Sequence, residues 1–280
     1  MTSHIDAIAA PIMSINRHRL STDGRGVTTL VGLHGCPLNC FYCLNNNCHT
    51  PAGIWKQMTA QELYDVVAKD DIYFRSTGGG ITFGGGEPAL HSAFIEQFAQ
   101  LNNHQWNITI ESSLNVPRHH IEQIANVVNN YIIDIKTLNP DTYRAYTGQD
   151  IEPVMNNLHY LISRGKSEKT TIRLPLIPGY NSESDIESDV NKLSKMGFVH
   201  FDFFTYHTNP NIRPNPDGKQ GKSVCNVLKR IRSIIAEANH ITYTPTPCPH
   251  TTCTVGNCPK CEQELLLLTQ QIDATENAIL

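Results

Sequence analysis

The sequence predicts an α/β chain: a partial (β/α)6 barrel of parallel strands over residues 1–244, then a small Cys-rich extension over residues 245–280. Three observations carry this. β-Branched apolar runs alternate with helical segments about six times, the pattern of βαβ units on a parallel sheet. That count falls short of the eight units of a closed barrel. Near Pro245 the segment TPTPCPH opens a Pro- and Cys-rich tail, the one shift of composition along the chain.

The elements follow in order. Val27–Gly32 is apolar and β-branched and reads as a strand running into a cysteine loop. Thr59–Lys69 has helical periodicity, with Thr59 as N-cap and Glu62 at capping-box distance. Ile81–Phe83 is a short strand between two glycine triplets, and Ser92–Leu101 a helix. Trp106–Ile110 and Tyr131–Ile135 read as strands around an Arg118–Val128 helix. Ile151–Arg164 is a helix closed by Gly165, Thr170–Leu176 a strand, and Ser182–Met196 a helix closed by Gly197. Val199–Thr205 is a strand and Val224–Ala238 a helix. The last stretch, EQELLLLTQQIDATENAIL, reads as a helix whose Leu265–Leu268 run covers the barrel's edge or a partner.

Composition excludes several classes. The 280 residues carry 22 Lys+Arg against 26 Asp+Glu, a net charge of −4, which argues against a partner bound by phosphate neutralisation, so no nucleic acid is expected. A 40% hydrophobic fraction excludes a disordered chain. No run reaches the roughly 20 apolar residues that span a bilayer. The apolar start IDAIAAPIM holds Asp6 and follows no Lys or Arg, so it does not read as a signal peptide. A cytoplasmic protein without membrane contact is expected.

Nine cysteines, an odd number, argue against a disulfide framework and for metal or cluster ligation. Cys36-x3-Cys40-x2-Cys43 puts three thiols on one tight loop. Zinc sites take four ligands, usually as two separated pairs, so three close thiols suit an iron–sulfur cluster with one iron open. Spacing alone leaves two alternatives: Cys48 as the fourth thiolate, or a zinc knuckle. The segment STGGGITFGGGEPAL follows. It lacks the Gly-Lys-Ser/Thr of a phosphate loop and the strand-to-helix order of a dinucleotide fold. It reads as a strand end where backbone must approach a ligand closely, with Glu87 beside it as acceptor, or as a double glycine turn. Asp134 and Lys136 lie two apart on a strand and share a face, so in a buried setting they should pair or bind a ligand.

At these residues the chain resembles the radical S-adenosylmethionine superfamily. Cys36, Cys40, Phe41 and Cys43 match its Cys-x3-Cys-x2-Cys signature with an aromatic after the second cysteine. Within that superfamily the chain is similar to the glycyl-radical-enzyme activases: Thr77–Thr82 and Gly85–Pro88 follow their Ser-Gly-Gly-Gly-Val-Thr and Gly-Gly-Glu-Pro segments. Gly35–Leu38, the Asp-x-Lys step at Asp134 and Lys136, Thr147-Gly148, Ile172–Asn181 and Phe203–His207 match further motifs in the same order. The resemblance implies a [4Fe–4S] cluster on Cys36, Cys40 and Cys43, whose open iron is chelated by the amino and carboxylate groups of S-adenosylmethionine. It implies that Tyr42, Gly85, Gly86, Glu87, Asp134, Lys136, Arg173 and His207 bind that cofactor. It also implies a monovalent cation near Glu111 and Asp134, as in some members. The reduced cluster splits the cofactor into methionine and a 5′-deoxyadenosyl radical, which takes hydrogen from a glycine of a partner glycyl-radical enzyme. A flavodoxin- or ferredoxin-type donor supplies the electron. The alternatives are a superfamily reaction on a small molecule or peptide, or a non-enzymatic metal-binding module.

The resemblance spans roughly residues 12–210 and has departures. Leu44-Asn45-Asn46-Asn47 replaces the common His-Asn-Pro-Glu, Ser112-Ser113-Leu114-Asn115 replaces Thr-Asn-Gly, and Thr205 replaces the Pro before Tyr-His. Only 34 residues separate Cys43 from Gly78, so the ferredoxin-like insert of larger activases is missing and the chain is similar to the compact pyruvate formate-lyase activase type. In the tail, Cys248, Cys253, Cys258 and Cys261 form a second ligand set, suited to zinc, a rubredoxin-like iron or a second iron–sulfur cluster.

Overall fold

The first strand, β1 (Ala9–Leu20), turns back antiparallel onto β2 (Val27–Leu33). In the computed structural model, which describes residues 7–20, 22–205, 219–247 and 259–277, a short strand β3 (Lys56–Thr59) covers the far side of β1. Then come α1 (Ala60–Val67), α2 (Asp71–Thr77), β4 (Gly80–Gly85), α3 (Ser92–Asn102), β5 (Asn107–Ser112), α4 (Arg118–Ile124) and β6 (Asn130–Asp134). The chain continues through α5 (Pro140–Thr147), α6 (Glu152–Ser163), β7 (Thr170–Leu176), α7 (Glu183–Met196), β8 (His200–Thr205), α8 (Lys219–Ala238) and α9 (Pro259–Asn277). Among the described residues, no helix is long and apolar enough to cross a membrane.

The sheet order is β3-β1-β2-β4-β5-β6-β7-β8. From β2 onward every neighbouring pair is parallel and the strands follow chain order. Each crossover therefore steps the same way, and right-handed crossovers then send the helices to one face, as in a barrel. The six expected parallel strands are all present, and β7 spans the predicted residues. Two antiparallel strands, β1 and β3, were not predicted. β1 lacks clean alternation and carries Pro11, whose missing N–H is tolerated beside a register shift between Ile12 and Ser14. Helices α2 and α5 were not predicted either, and the predicted Arg118–Val128 helix stops at Ile124 in a turn.

Alternation along the strands divides the sheet's two faces. Ile81, Phe83, Ile108, Ile110, Tyr131, Ile133, Ile172 and Leu174 are buried with helix residues such as Leu63, Phe94, Phe98, Leu158 and Leu161. Many of the alternate positions are polar and stand in register on the inner face: Thr82 beside Thr109, Asp134 beside Arg173, Arg173 beside Asp202, with Glu111 two residues past Thr109. Caps fix the helices that frame this face. Thr59 and Glu62 form the predicted capping box on α1, and Ser182 with Asp185 forms another on α7. α5 starts at Asn139, whose side chain accepts from Asp141 and Thr142, and ends at Gly148 in the left-handed region.

α8 and α9 pack against the sheet's early edge. Leu228, Ile235, Leu265 and Leu268 share a core with Val27, Ile72 and Tyr73. Only part of the predicted Leu265–Leu268 run faces inward: Leu266 and Leu267 are exposed.

Candidate active site

Three thiols gather at the C-terminal end of β2. Cys36, Cys40 and Cys43, each half-buried, line one side of a cavity of about 450 Å³, a size ordinary for a small-molecule site. Gly85, Gly86, Ser112, Ser113, Asp134, Lys136 and Arg173 line it too, so most of the predicted residues converge at one end of the sheet. Backbone hydrogen bonds set the loop. Asn39 and Phe41 donate to the carbonyls of Thr147 and Tyr146 at the end of α5, at 2.8 and 3.2 Å. Burial pushes the Cys36 thiol up to about 12 and the Cys40 thiol up to about 11. A bare thiolate is disfavoured there, so a bound cation is what would hold these sulfurs deprotonated.

The glycine segment lies directly against this loop. Gly86 donates to the Leu33 carbonyl at 2.8 Å and Glu87 to the Gly35 carbonyl at 2.7 Å. A Cβ at Gly86 would meet the Gly35 oxygen at 2.2 Å, and Gly85 holds φ +96°, so neither position accepts a side chain. Close backbone approach, predicted for a ligand, here first serves the chain's own cysteine loop. The Glu87 carboxylate is turned inward. It is buried and accepts from the Ser112 hydroxyl at 2.7 Å, the Ser113 N–H at 2.8 Å, the Ser113 hydroxyl at 2.6 Å and the Ala89 N–H at 3.2 Å. Burial raises its proton affinity, and these donors oppose the rise. Ser112 and Ser113 were legible only as a departure from the family pattern. At the next position Leu114 takes φ 58°, where the family's pattern has glycine.

On the inner face, Lys136 Nζ lies 2.6 Å from Asp134 Oδ2, the first of the two outcomes, pairing or ligand binding, expected from their shared face. Arg173 bonds Glu111 and Asp202, the latter at 3.2 Å. Asp134 Oδ1 is buried and finds no hydrogen-bond partner among the described residues. An acceptor left over in a cavity that also presents Arg173 suits a zwitterionic ligand with hydroxyl and amino donors and a carboxylate. The donor set thus fits the expected group: soft thiols at one end, glycine backbone in the middle, charges of both signs beyond.

Other expected residues are placed elsewhere or lie outside the description. Tyr42 packs in an aromatic group with Phe41, Tyr146 and Tyr180. His207, Cys248, Cys253 and Cys258 fall outside the described residues. Cys261 is buried beside Cys225 of α8, a neighbour that spacing gave no reason to expect. Cys48, left open by spacing, lines the same cavity as the three loop cysteines.

Comparisons with known proteins agree with this geometry. The family model described as the radical SAM superfamily matches residues 30–193. The chain is 27% identical over 230 residues to the pyruvate formate-lyase 2-activating enzyme of Escherichia coli (strain K12), covering 71% of this chain and 77% of that protein. It is 33% identical over 167 residues to the (2S)-3-sulfopropanediol dehydratase activating enzyme of Klebsiella oxytoca, covering 59% of this chain and 52% of that one. Among solved structures, SuiB of Streptococcus suis bound to S-adenosylmethionine aligns with a TM-score of 0.50 at 14% identity, over 76% of this chain and 48% of that one, a likeness of fold alone.

Proposed function

This chain belongs to the radical SAM superfamily, and from that premise we propose that it is a glycyl-radical-enzyme activase of the compact type. The observation that carries the proposal is the single cavity that joins Cys36, Cys40 and Cys43 to the glycine backbone and to the inner-face charges. The names of the similar proteins, which are activating enzymes, support it.

In this reading Cys36, Cys40 and Cys43 would hold a [4Fe–4S] cluster, and its chemistry would be the one-electron reductive cleavage of bound S-adenosylmethionine. The chain's own residues bind and orient. Gly85 and Gly86 offer backbone to the methionine end, and Glu87, held by Ser112 and Ser113, fixes the position of that backbone. Asp134 Oδ1 accepts a donor of the cofactor, Lys136 holds Asp134 in place, and Arg173 faces a carboxylate or the ribose. Tyr42 and His207 complete the set as the resemblance implies. A monovalent cation between Glu111 and Asp134 would have to compete with Arg173 and Lys136 for those carboxylates.

The hydrogen donor is a glycine of a partner enzyme, and a flavodoxin- or ferredoxin-type protein supplies the electron, in the cytoplasm. Exposed Phe41 and Leu44, 68% and 86% accessible on the cysteine loop, support docking of a protein at the cavity's mouth. We also propose a four-thiolate metal site on Cys248, Cys253, Cys258 and Cys261; metal analysis of a variant lacking Cys36, Cys40 and Cys43 reads whether it holds zinc, one iron or a cluster.

The main test is anaerobic reconstitution. The expected outcome is about four irons at the loop site, 5′-deoxyadenosine on reduction, and a glycyl-radical EPR doublet when a candidate partner is added. A protein that holds zinc only, or that makes no 5′-deoxyadenosine, overturns the proposal. Cofactor cleavage with a peptide or small molecule but no radical on any glycyl-radical enzyme overturns the activase reading alone.

A further inference from the structure

We propose that Cys48 is a fourth thiolate of the cluster site: it ligates the open iron while S-adenosylmethionine is absent and gives it up when the cofactor binds. The proposal rests on the cluster reading above and goes beyond it, because three cysteines suffice for that reading.

The observations are these. Cys48 is 1% exposed and lines the same cavity as Cys36, Cys40 and Cys43. The Cys43 and Cys36 side chains act on its thiol at close range. The ligand atoms of Cys43, Cys48 and His49 all lie within 4.8 Å of one another. A thiol that served only as a small apolar filler would sit among carbon side chains; this one sits among ligand atoms. Its backbone is set for the position: the Cys48 N–H donates to the Asn45 carbonyl at 2.8 Å, and the Cys48 carbonyl accepts from Gly35 at 3.1 Å.

The same turn makes a second contact of this kind. Asn45 Nδ2 donates to the Gly85 carbonyl at 2.7 Å. One short segment thus brings an amide donor to the glycine backbone and a thiol to the cysteines. An α-amino acid end entering the cavity has matching chemistry: an amino group that donates to a carbonyl and, with its carboxylate, ligates a metal. The segment is also cheap to displace, since Leu44, Asn45, Asn46, Asn47 and His49 are exposed and Cys48 alone is buried. On exchange the Cys48 sulfur–iron bond breaks as bonds from the cofactor's amino nitrogen and carboxylate oxygen form. The ammonium yields one proton, the departing thiolate takes one up, and no electron moves.

A competing arrangement has the same atoms. Ligands of a single tetrahedral ion at about 2.3 Å lie roughly 3.8 Å apart, so Cys43, Cys48 and His49 could hold one zinc with a fourth ligand from outside the group and leave Cys40 out. The experiment separates the two. Wild type, Cys48→Ala, Cys48→Ser and Cys40→Ala are reconstituted anaerobically, assayed for iron and zinc, and oxidised mildly with and without S-adenosylmethionine before EPR. The expected result is a four-iron cluster in wild type and in both Cys48 variants and none in Cys40→Ala. Without cofactor, oxidation then gives a three-iron signal several-fold larger in Cys48→Ala than in wild type, with Cys48→Ser between, and added S-adenosylmethionine removes the difference. Equal three-iron signals in wild type and Cys48→Ala overturn the role of Cys48 while leaving the cluster and its chemistry intact. Failure of both Cys48 variants to assemble a cluster makes Cys48 a permanent ligand and overturns the exchange. One metal ion per chain that survives Cys40→Ala overturns the cluster reading itself.

Discussion

Two regions of this molecule bury charge, and they do it differently. Beneath α8 and α9, the Arg232 guanidinium is fully buried yet meets Tyr73, Tyr243 and Glu264. Nearby, the Asp70 carboxylate is held by Arg17 and by His18, each at 2.8 Å. Both oxygens of Asp70 and several nitrogens of Arg232 are therefore satisfied within the protein. At the cavity, Asp134 has one oxygen on Lys136 and the other without a partner among the described residues, and the sulfurs of Cys36 and Cys40 stand in an environment that disfavours their anionic form. The charged groups of the first region are closed off within the protein, although the ring Nδ1 of His18 is buried without a partner among the described residues; the open oxygen of Asp134 differs in belonging to a residue that lines a cavity, where something can arrive.

The comparison can be broken at either end. The largest effect is expected from Cys36→Ala, Cys40→Ala or Cys43→Ala, each of which should reduce 5′-deoxyadenosine formation to background, read by chromatography after anaerobic reduction. Full turnover in any of them would remove the cluster from this loop. Next is Arg232→Met. Taking one partner from a buried ion pair costs about 3 kcal/mol, so the urea midpoint should fall sharply while cofactor affinity, measured on the folded protein, stays near wild type. An unchanged midpoint would mean that the α8–α9 network is not structural.

Asp134→Asn should do the reverse. The carboxamide keeps an oxygen for Lys136, so stability shifts by less than about 1 kcal/mol, but cofactor binding weakens by roughly tenfold, about 1.4 kcal/mol. Equilibrium binding read against a melting curve tests both halves. The smallest effect is a pH dependence. Burial alone would raise the Asp70 carboxyl, but hydrogen bonds from Arg17 and His18 outweigh it and hold it below the usual range. A depressed folded-state value means that its stabilisation is fully present above the unfolded value of about 3.9 and fades as pH falls through the folded value. Wild type should therefore lose stability more steeply than Asp70→Asn in that acid window, and parallel acid limbs would count against the network.

Much of the fold could be read from residues taken in order. The parallel strands announce themselves through β-branched alternation, and α1 through Thr59 and Glu62, because local sterics and capping act over a few residues. β1 and β3 could not be read this way. Their pairing is antiparallel and long-range, and neither carries clean alternation. At the site, the cysteine spacing and the glycine run marked the place, and the Asp134–Lys136 step marked a pair. The direction of the Glu87 carboxylate was not legible, since its donors Ser112 and Ser113 come from β5 and the turn after it, about 25 positions away.

By itself, then, the sequence determined which chemistry is on offer: three thiols at ligand spacing, a backbone stripped of side chains, and charges two residues apart on a strand. Only the tertiary structure decided which groups meet: that Glu87 turns inward, that Asp134 keeps an oxygen unfilled, and that Cys48 stands with the other thiols. Spacing along a chain is set by covalent geometry, whereas the partner of a buried polar atom depends on which distant strand or loop the packing brings beside it.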